Sequence, residues 1–254
     1  MTLRAARRAV ALGFALALCV LRYGLVRLRG PVTLEQRAEW MQFAGRTALA
    51  RLGIRTRVHG QPPKSGIVVA NHLSYLDIAV FAAAMKCFFV SKAEISAWPY
   101  FGATARFGGT LFIDRSSRAS AEKVAAAIAE RLVLPVPVLF FPEGTSSDGT
   151  SVLRFHTRLF EPAIRARAPI TAAAVRYVPA GGAAESGLCW FGDEGFLPNL
   201  LKALDAPLFT AEVSFAEPAI YPDRKTAALQ TREEVIAMRT HLLGMREIDK
   251  VNLP

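Results

Sequence analysis

One histidine, two carboxylates, two cations and a glycine-bearing loop are the candidates for chemistry, and each stands beside the end of an apolar run. His72 follows Ile67 to Ala70 in the peptide Asn71-His72-Leu73-Ser74-Tyr75-Leu76-Asp77. Where a strand hands over to a helix, Asp77 in the first helical turn can face back toward the imidazole. A carboxylate so placed fixes the tautomer of the ring and steadies its cation, which is what a general base requires. Ser74 and Asp77 also have the spacing of a capping box, so a purely structural role for Asp77 stays open. Glu143 ends a second apolar run, Val138 to Phe141, and opens the loop Pro142-Glu143-Gly144-Thr145-Ser146-Ser147-Asp148-Gly149. Amides around Gly144 and Thr145 could form an anion-binding concavity, and an ordinary strand-to-loop turn would read the same. Lys92 and Arg115 close two further apolar runs. They are either solvated strand-end charges or a cation pair that holds an anionic group, with Arg suited to bidentate contact.

These residues need a sheet whose strand ends meet. Ile67 to Ala70, Cys87 to Val90, Thr110 to Ile113, Val136 to Phe141, Ile170 to Tyr177 and Phe209 to Phe215 read as strands. Leu76 to Met85, Ser117 to Leu132 and Asp223 to Gly244 read as helices; Val124, Ile128 and Leu132 make one buried stripe on the second of them. Alternation of this kind predicts an α/β class: a layered domain with a mixed, partly parallel sheet flanked by helices. Ligands in such sheets sit beyond the carboxyl ends of the strands. The chain has 254 residues, enough for one such core and a small addition. Its three cysteines are far apart and odd in number, which excludes a disulfide framework and a zinc knuckle.

The addition is N-terminal. Residues 1–64 carry twelve basic and two acidic residues, the whole of the chain's net charge of +10. Ala9 to Leu21 has no charge and is bracketed by Arg4, Arg7 and Arg8 on one side and Arg22, Arg27 and Arg29 on the other. A signal peptide would show a small-residue cleavage site, which is missing after Leu21. A spanning helix needs roughly 20 apolar residues, although arginines that snorkel can extend a shorter one. A helix embedded in one leaflet, with arginines at anionic headgroups, fits best. Nucleic acid as a partner would need the charge on a polar face with aromatic platforms, and no such motif appears. Thr33 to Leu52 is amphipathic and reads as a second helix beside the first. The turn cluster at Gln61 to Gly66 marks the boundary, giving a membrane-associating helix pair at 1–60 and a catalytic domain at 61–254.

Four ordered blocks resemble the glycerolipid acyltransferase family, whose bacterial members include 1-acylglycerol-3-phosphate acyltransferases. They are His72 and Asp77 (His-x4-Asp), Lys92 with Glu94, Phe112 to Arg115, and Phe141 to Thr145 (Phe-Pro-Glu-Gly-Thr). Ser146 stands where the family has an Arg, and Ala168-Pro169-Ile170 lacks one of its prolines. The continuation Ser146-Ser147-Asp148-Gly149, with Trp190 to Asp193, is similar to a branch that includes lyso-ornithine-lipid acyltransferases. The resemblance implies transfer of an acyl group from acyl-CoA or acyl carrier protein, as co-substrate and without a cofactor or metal, to the hydroxyl of a lysolipid. 1-Acylglycerol-3-phosphate is the first acceptor it suggests and lyso-ornithine lipid the second. It implies His72, Asp77 and Glu143 as catalytic, Lys92, Arg115, Gly144 and Thr145 as substrate-binding, and attachment to the cytoplasmic face of the inner membrane.

Two rival classes remain. A non-catalytic lipid-binding protein would bind lysolipid without releasing thiol from acyl-CoA. A metal-dependent hydrolase would need ligands spaced around His72, and His59, His156 and His241 form no such motif. Replacing His72 by Ala is expected to lower turnover by roughly 10²–10⁴-fold, the usual worth of a positioned general base, while circular dichroism and membrane binding stay unchanged.

Overall fold

The computed structural model describes residues 2–98, 101–114 and 116–251, with backbone alone from residue 245 onward. Two helices open the chain, α1 (Leu3–Arg27) and α2 (Leu34–Leu52). Thr33 caps α2 in a full capping box with Gln36, and Gly53 ends it in the left-handed conformation that glycine adopts without strain. Seven strands follow: β1 (Arg55–His59), β2 (Ile67–Ala70), β3 (Phe88–Lys92), β4 (Leu111–Ile113), β5 (Val138–Phe140), β6 (Ile170–Pro179) and β7 (Phe209–Phe215). Between and after them lie α3 (Leu76–Ala84), α4 (Phe101–Phe107), α5 (Arg118–Arg131), α6 (Glu161–Ala166), α7 (Phe196–Asp205) and α8 (Arg224–Val251).

The sheet order is β1-β7-β6-β2-β5-β3-β4. From β6 to β4 every pairing is parallel, β7 runs antiparallel to β6, and β1 runs parallel to β7. The carboxyl ends of β2, β5, β3 and β4 therefore share one edge. All four residues of β2 are fully buried, as the central strand of a sheet covered on both faces must be. One apolar layer joins the sheet to α1, α2 and α3 through residues such as Phe81, Phe89 and Tyr177. The other, around Phe88, Ile128 and Phe160, joins it to α5, α6 and α8. This is the layered, mixed sheet that the alternation predicts.

Three differences from the sequence reading have physical causes. Arg55–His59 lies before the expected boundary at 60/61, yet it is an edge strand of the sheet, hydrogen-bonded to β7. Its pattern of exposed Arg55 and Arg57 hid it, because an edge strand keeps charge on the strand itself. The boundary therefore belongs ahead of residue 55. The amphipathic α7 and the short α4 did not register as helices, being near the lower limit of length for a periodic signal. Helix α8 runs through Gly244, where an end was expected.

The helix pair is packed onto the domain. Gly45 of α2 sits so close to α3 that a Cβ there would lie 2.7 Å from the Ala79 carbonyl and 2.8 Å from the Ala83 nitrogen. Gly45→Val is expected to push α2 off α3 and cost about 1–3 kcal/mol, the range for overpacking a tight contact. A urea melt followed by tryptophan fluorescence measures it.

Candidate active site

Chain direction explains why the reactive residues meet. β2 ends at Ala70 and releases Asn71 and His72, and β5 ends at Phe140 and releases Phe141 to Thr145 beside them. Asn71 behaves as one more rung of the sheet: its side chain donates to the Val175 carbonyl at 3.1 Å and accepts from the Val175 amide at 2.9 Å. The loop is thereby fixed to β6 before His72 begins.

The His72 Nδ1 lies 2.7 Å from Asp77 Oδ2. The same oxygen accepts from the Leu73 and Ser74 amides at 2.7 and 3.1 Å, so Asp77 both ties off the loop and orients the ring. No side chain caps α3 at Tyr75, and Asp77 meets the amides just ahead of that helix. Its carboxylate is fully buried, while the His72 side chain keeps 20% exposure. Phe141 stacks on the imidazole, centroids 4.1 Å apart and planes 9° from parallel, and fixes the ring from the side. With Nδ1 committed to Asp77, Nε2 is the nitrogen left to exchange a proton, on a ring that lines a cavity.

That cavity has a volume of about 430 Å³. Lys92, Gly144, Thr145 and Ser146 line it together with His72. Much of its wall is hydrocarbon: Leu12 and Leu16 of α1, Met41 and Ala44 of α2, Ile78 and Ala79 of α3. An aromatic group stands on another wall, with Trp98 and Phe196 at 4.5 Å and Tyr75 and Trp190 at 5.8 Å between centroids. A mostly apolar lining with a few polar groups suits an amphiphile.

Several expected roles change. Glu143 is buried, and both its oxygens are taken by backbone: Oε1 accepts from the His72 amide at 3.0 Å and Oε2 from the Leu153 amide at 3.1 Å. It lines no part of the cavity, so the expected catalytic contact with substrate is corrected to a positioning one: Glu143 staples the His72 loop to the loop after β5. The Gly144 amide donates to the Phe141 carbonyl at 3.2 Å, closing a turn in which Gly144 has φ of +77°. Of the two expected anion-binding amides, the Thr145 N–H is the one that the turn does not use. Lys92 lines the cavity as expected, exposed at the end of β3. Arg115 lies outside the described residues. Ser146 donates to the Trp190 carbonyl. His156 is exposed and is not part of the cavity wall.

Sequence reasoning missed Tyr177, whose hydroxyl donates to Asp77 Oδ1 across 100 residues of chain. The register shows why it reaches: Ala173 pairs with Ala70 at the end of β2, and β6 continues beyond to Pro179. A phenol on a strand that is apolar apart from Thr171 and Arg176 was the available signal.

Burial pushes the Glu143 carboxyl above the ordinary range, opposed by the two amides that it accepts. A carboxyl raised in the folded state stabilises most below the unfolded value, and that contribution is lost as pH rises through the folded one. Glu143→Gln, which keeps one acceptor oxygen and cannot ionise, is expected to cost about 1–3 kcal/mol at pH 4.5. Urea melts at pH 4.5 and pH 8 are expected to show that cost shrinking with pH.

Comparison with known proteins agrees with this architecture. A family model described as Acyltransferase matches residues 55–176, beginning at β1. The lyso-ornithine lipid O-acyltransferase of Rhodobacter capsulatus is 38% identical over 195 residues, covering 72% of this chain and 69% of that one. The 1-acyl-sn-glycerol-3-phosphate acyltransferase of Neisseria gonorrhoeae is 34% identical over 201 residues, covering 76% and 78%. Among solved structures, the 1-acyl-sn-glycerophosphate acyltransferase PlsC from Thermotoga maritima superposes with a TM-score of 0.70 over 94% of this chain and 95% of that one. At 19% identity it speaks to the fold.

Proposed function

Because this chain belongs to the acyltransferase family, we propose that it moves a fatty acyl group from a thioester to the free hydroxyl of a lysolipid. The observation that carries this reading is the His72–Asp77 pair, with His72 lining a cavity whose wall is mostly apolar. A lipid alcohol has a pKa far above 7 and needs a base at the moment of attack. His72 Nε2 takes that proton as the hydroxyl oxygen bonds to the thioester carbonyl carbon. The carbonyl π electrons move to oxygen, where the Thr145 N–H is the candidate donor. On collapse the C–O ester stays, the C–S bond breaks, and the proton on His72 goes to the departing thiolate. Nothing in the sequence resembles a nucleophile elbow, and direct transfer needs none.

The first acceptor we propose is 1-acylglycerol-3-phosphate, giving phosphatidic acid. Lys92 is the cation lining the cavity among the described residues, and no carboxylate lines it there. That wall suits an anionic headgroup. A second reading, lyso-ornithine lipid, is favoured by Ser146 in the place of the family's Arg and by the similarity to the Rhodobacter enzyme. The donor is acyl-CoA or acyl carrier protein, and no further cofactor enters the reaction.

Helix α1 carries the membrane contact in this proposal. It is the one described helix long and apolar enough to cross a membrane. It lies against the body instead: Trp40 Nε1 donates to the Cys19 carbonyl at 2.8 Å, and Arg8 donates to the Ala206 carbonyl at 2.7 Å. Ala15, Cys19 and Tyr23 face inward, while Leu3, Val10, Phe14, Leu21 and Leu25 are exposed. A helix apolar on both sides, with arginines at both ends, suits a place in one leaflet, on the cytoplasmic face where anionic headgroups meet it.

Two measurements check these points. Purified protein given both lysolipids in parallel with one acyl-CoA is expected to convert the phosphate-bearing acceptor faster, read by product mass; exclusive conversion of lyso-ornithine lipid would reverse the order. Ala79→Phe, which fills the apolar part of the cavity, is expected to shorten the preferred acyl chain while short-chain donors keep their rate.

A further inference from the structure

A fully buried anion stays ionised only through the donors around it. Asp77 Oδ2 has three, the His72 ring and the Leu73 and Ser74 amides, and all belong to one loop. The donor to Oδ1 comes from elsewhere in the fold: the hydroxyl of Tyr177 on β6. Its side chain is itself fully buried and held from several sides. The ring packs on Phe209 with centroids 5.3 Å apart, and the Tyr177 amide donates to Glu185 Oε1 at 2.7 Å. Glu185 pairs with Arg239 at 2.8 Å, and Arg239 in turn donates to the Val175 carbonyl at 2.6 Å. Helix α8 thus braces the strand that presents the phenol. Burial, and after it the charge of Asp77, push the phenol well above its ordinary range, so it remains a neutral donor.

We propose that Tyr177 is a positioning residue for the dyad: its hydroxyl sets how strongly Asp77 holds the Nδ1 proton of His72. The proposal rests on the reading of His72 as the base. A bond donated to Oδ1 draws carboxylate charge away from Oδ2 and stops the group from turning about Cβ–Cγ. Without it, Oδ2 becomes more negative and grips the Nδ1 proton harder, while the ring loses its fixed direction. Three other ionisable groups around the pair have partners of their own. Glu143 accepts from backbone amides, Glu185 is paired with Arg239, and the Cys189 thiol, pushed up by burial, contacts the Asp148 carbonyl at 3.5 Å.

Tyr177→Phe keeps the ring and deletes the hydroxyl. The proton on His72 Nδ1, observed by NMR of histidine-labelled protein and assigned by its loss in His72→Ala, is expected to move downfield. In the assay, kcat is expected to fall about three- to tenfold with KM for the lysolipid unchanged, the pattern of an interaction that matters in the transition state. A fluorotyrosine at position 177 is a stronger donor in the same place and is expected to move the resonance upfield. It decides the matter alone if the phenylalanine variant does not fold. An unmoved resonance, or a raised KM at constant kcat, would overturn the proposal. Because NMR needs no turnover, a wrong choice of acceptor lipid would show as an inactive wild type with the resonance shifts intact.

Discussion

The buried carboxylate of Asp77 is the constraint on which the rest depends. Removing a carboxylate from water costs several kcal/mol unless donors replace the water. Here they do so from three directions: the imidazole, two amides of its own loop, and a phenol from the neighbouring strand. Each donor stands where it does because of a larger element. The loop amides require α3 to start at Leu76, the phenol requires β6 to run past the end of β2, and the imidazole requires Asn71 to hold the loop to β6. The reactive geometry is therefore a consequence of the sheet's register. Losing one donor leaves an under-satisfied buried charge, so structure and reactivity are tied at this point.

The second layer of the design is the hydrocarbon that adjoins this polar group. Helices α1 and α2 contribute Leu12, Leu16, Met41 and Ala44 to the cavity wall, so the N-terminal pair is part of the site as well as a candidate membrane contact. Small residues make this possible. Gly45 on α2 and Ala79, Ala82 and Ala83 on α3 let the helices approach closely. Between its terminal arginines the outward side of α1 carries exposed Val10, Phe14, Val20 and Leu21, which suits a lipid substrate that enters from a bilayer.

Much of this was legible in residue order. Apolar runs ending in His72, Lys92 and Glu143 revealed the strands and the shared edge, because a parallel sheet buries both faces and keeps its polar groups for the ends. The pairing of His72 with Asp77 followed from their placement across a helix start. What stayed hidden depended on three-dimensional closure. β1 carries its charges on an exposed edge and so does not look like a strand. Glu143 reads as a catalytic residue until its two backbone donors are seen. Tyr177 lies 100 residues from its partner, and only the overshoot of β6 brings them together.

The most direct test of the account is the rate of thiol release from acyl-CoA by Asp77→Asn in the presence of lysolipid. Asparagine keeps the size of the side chain and removes the charge that orients and steadies His72. The expected result is a loss of about 10²–10⁴-fold in kcat at an unchanged circular dichroism spectrum. Thiol release at the wild-type rate by the folded variant would contradict it.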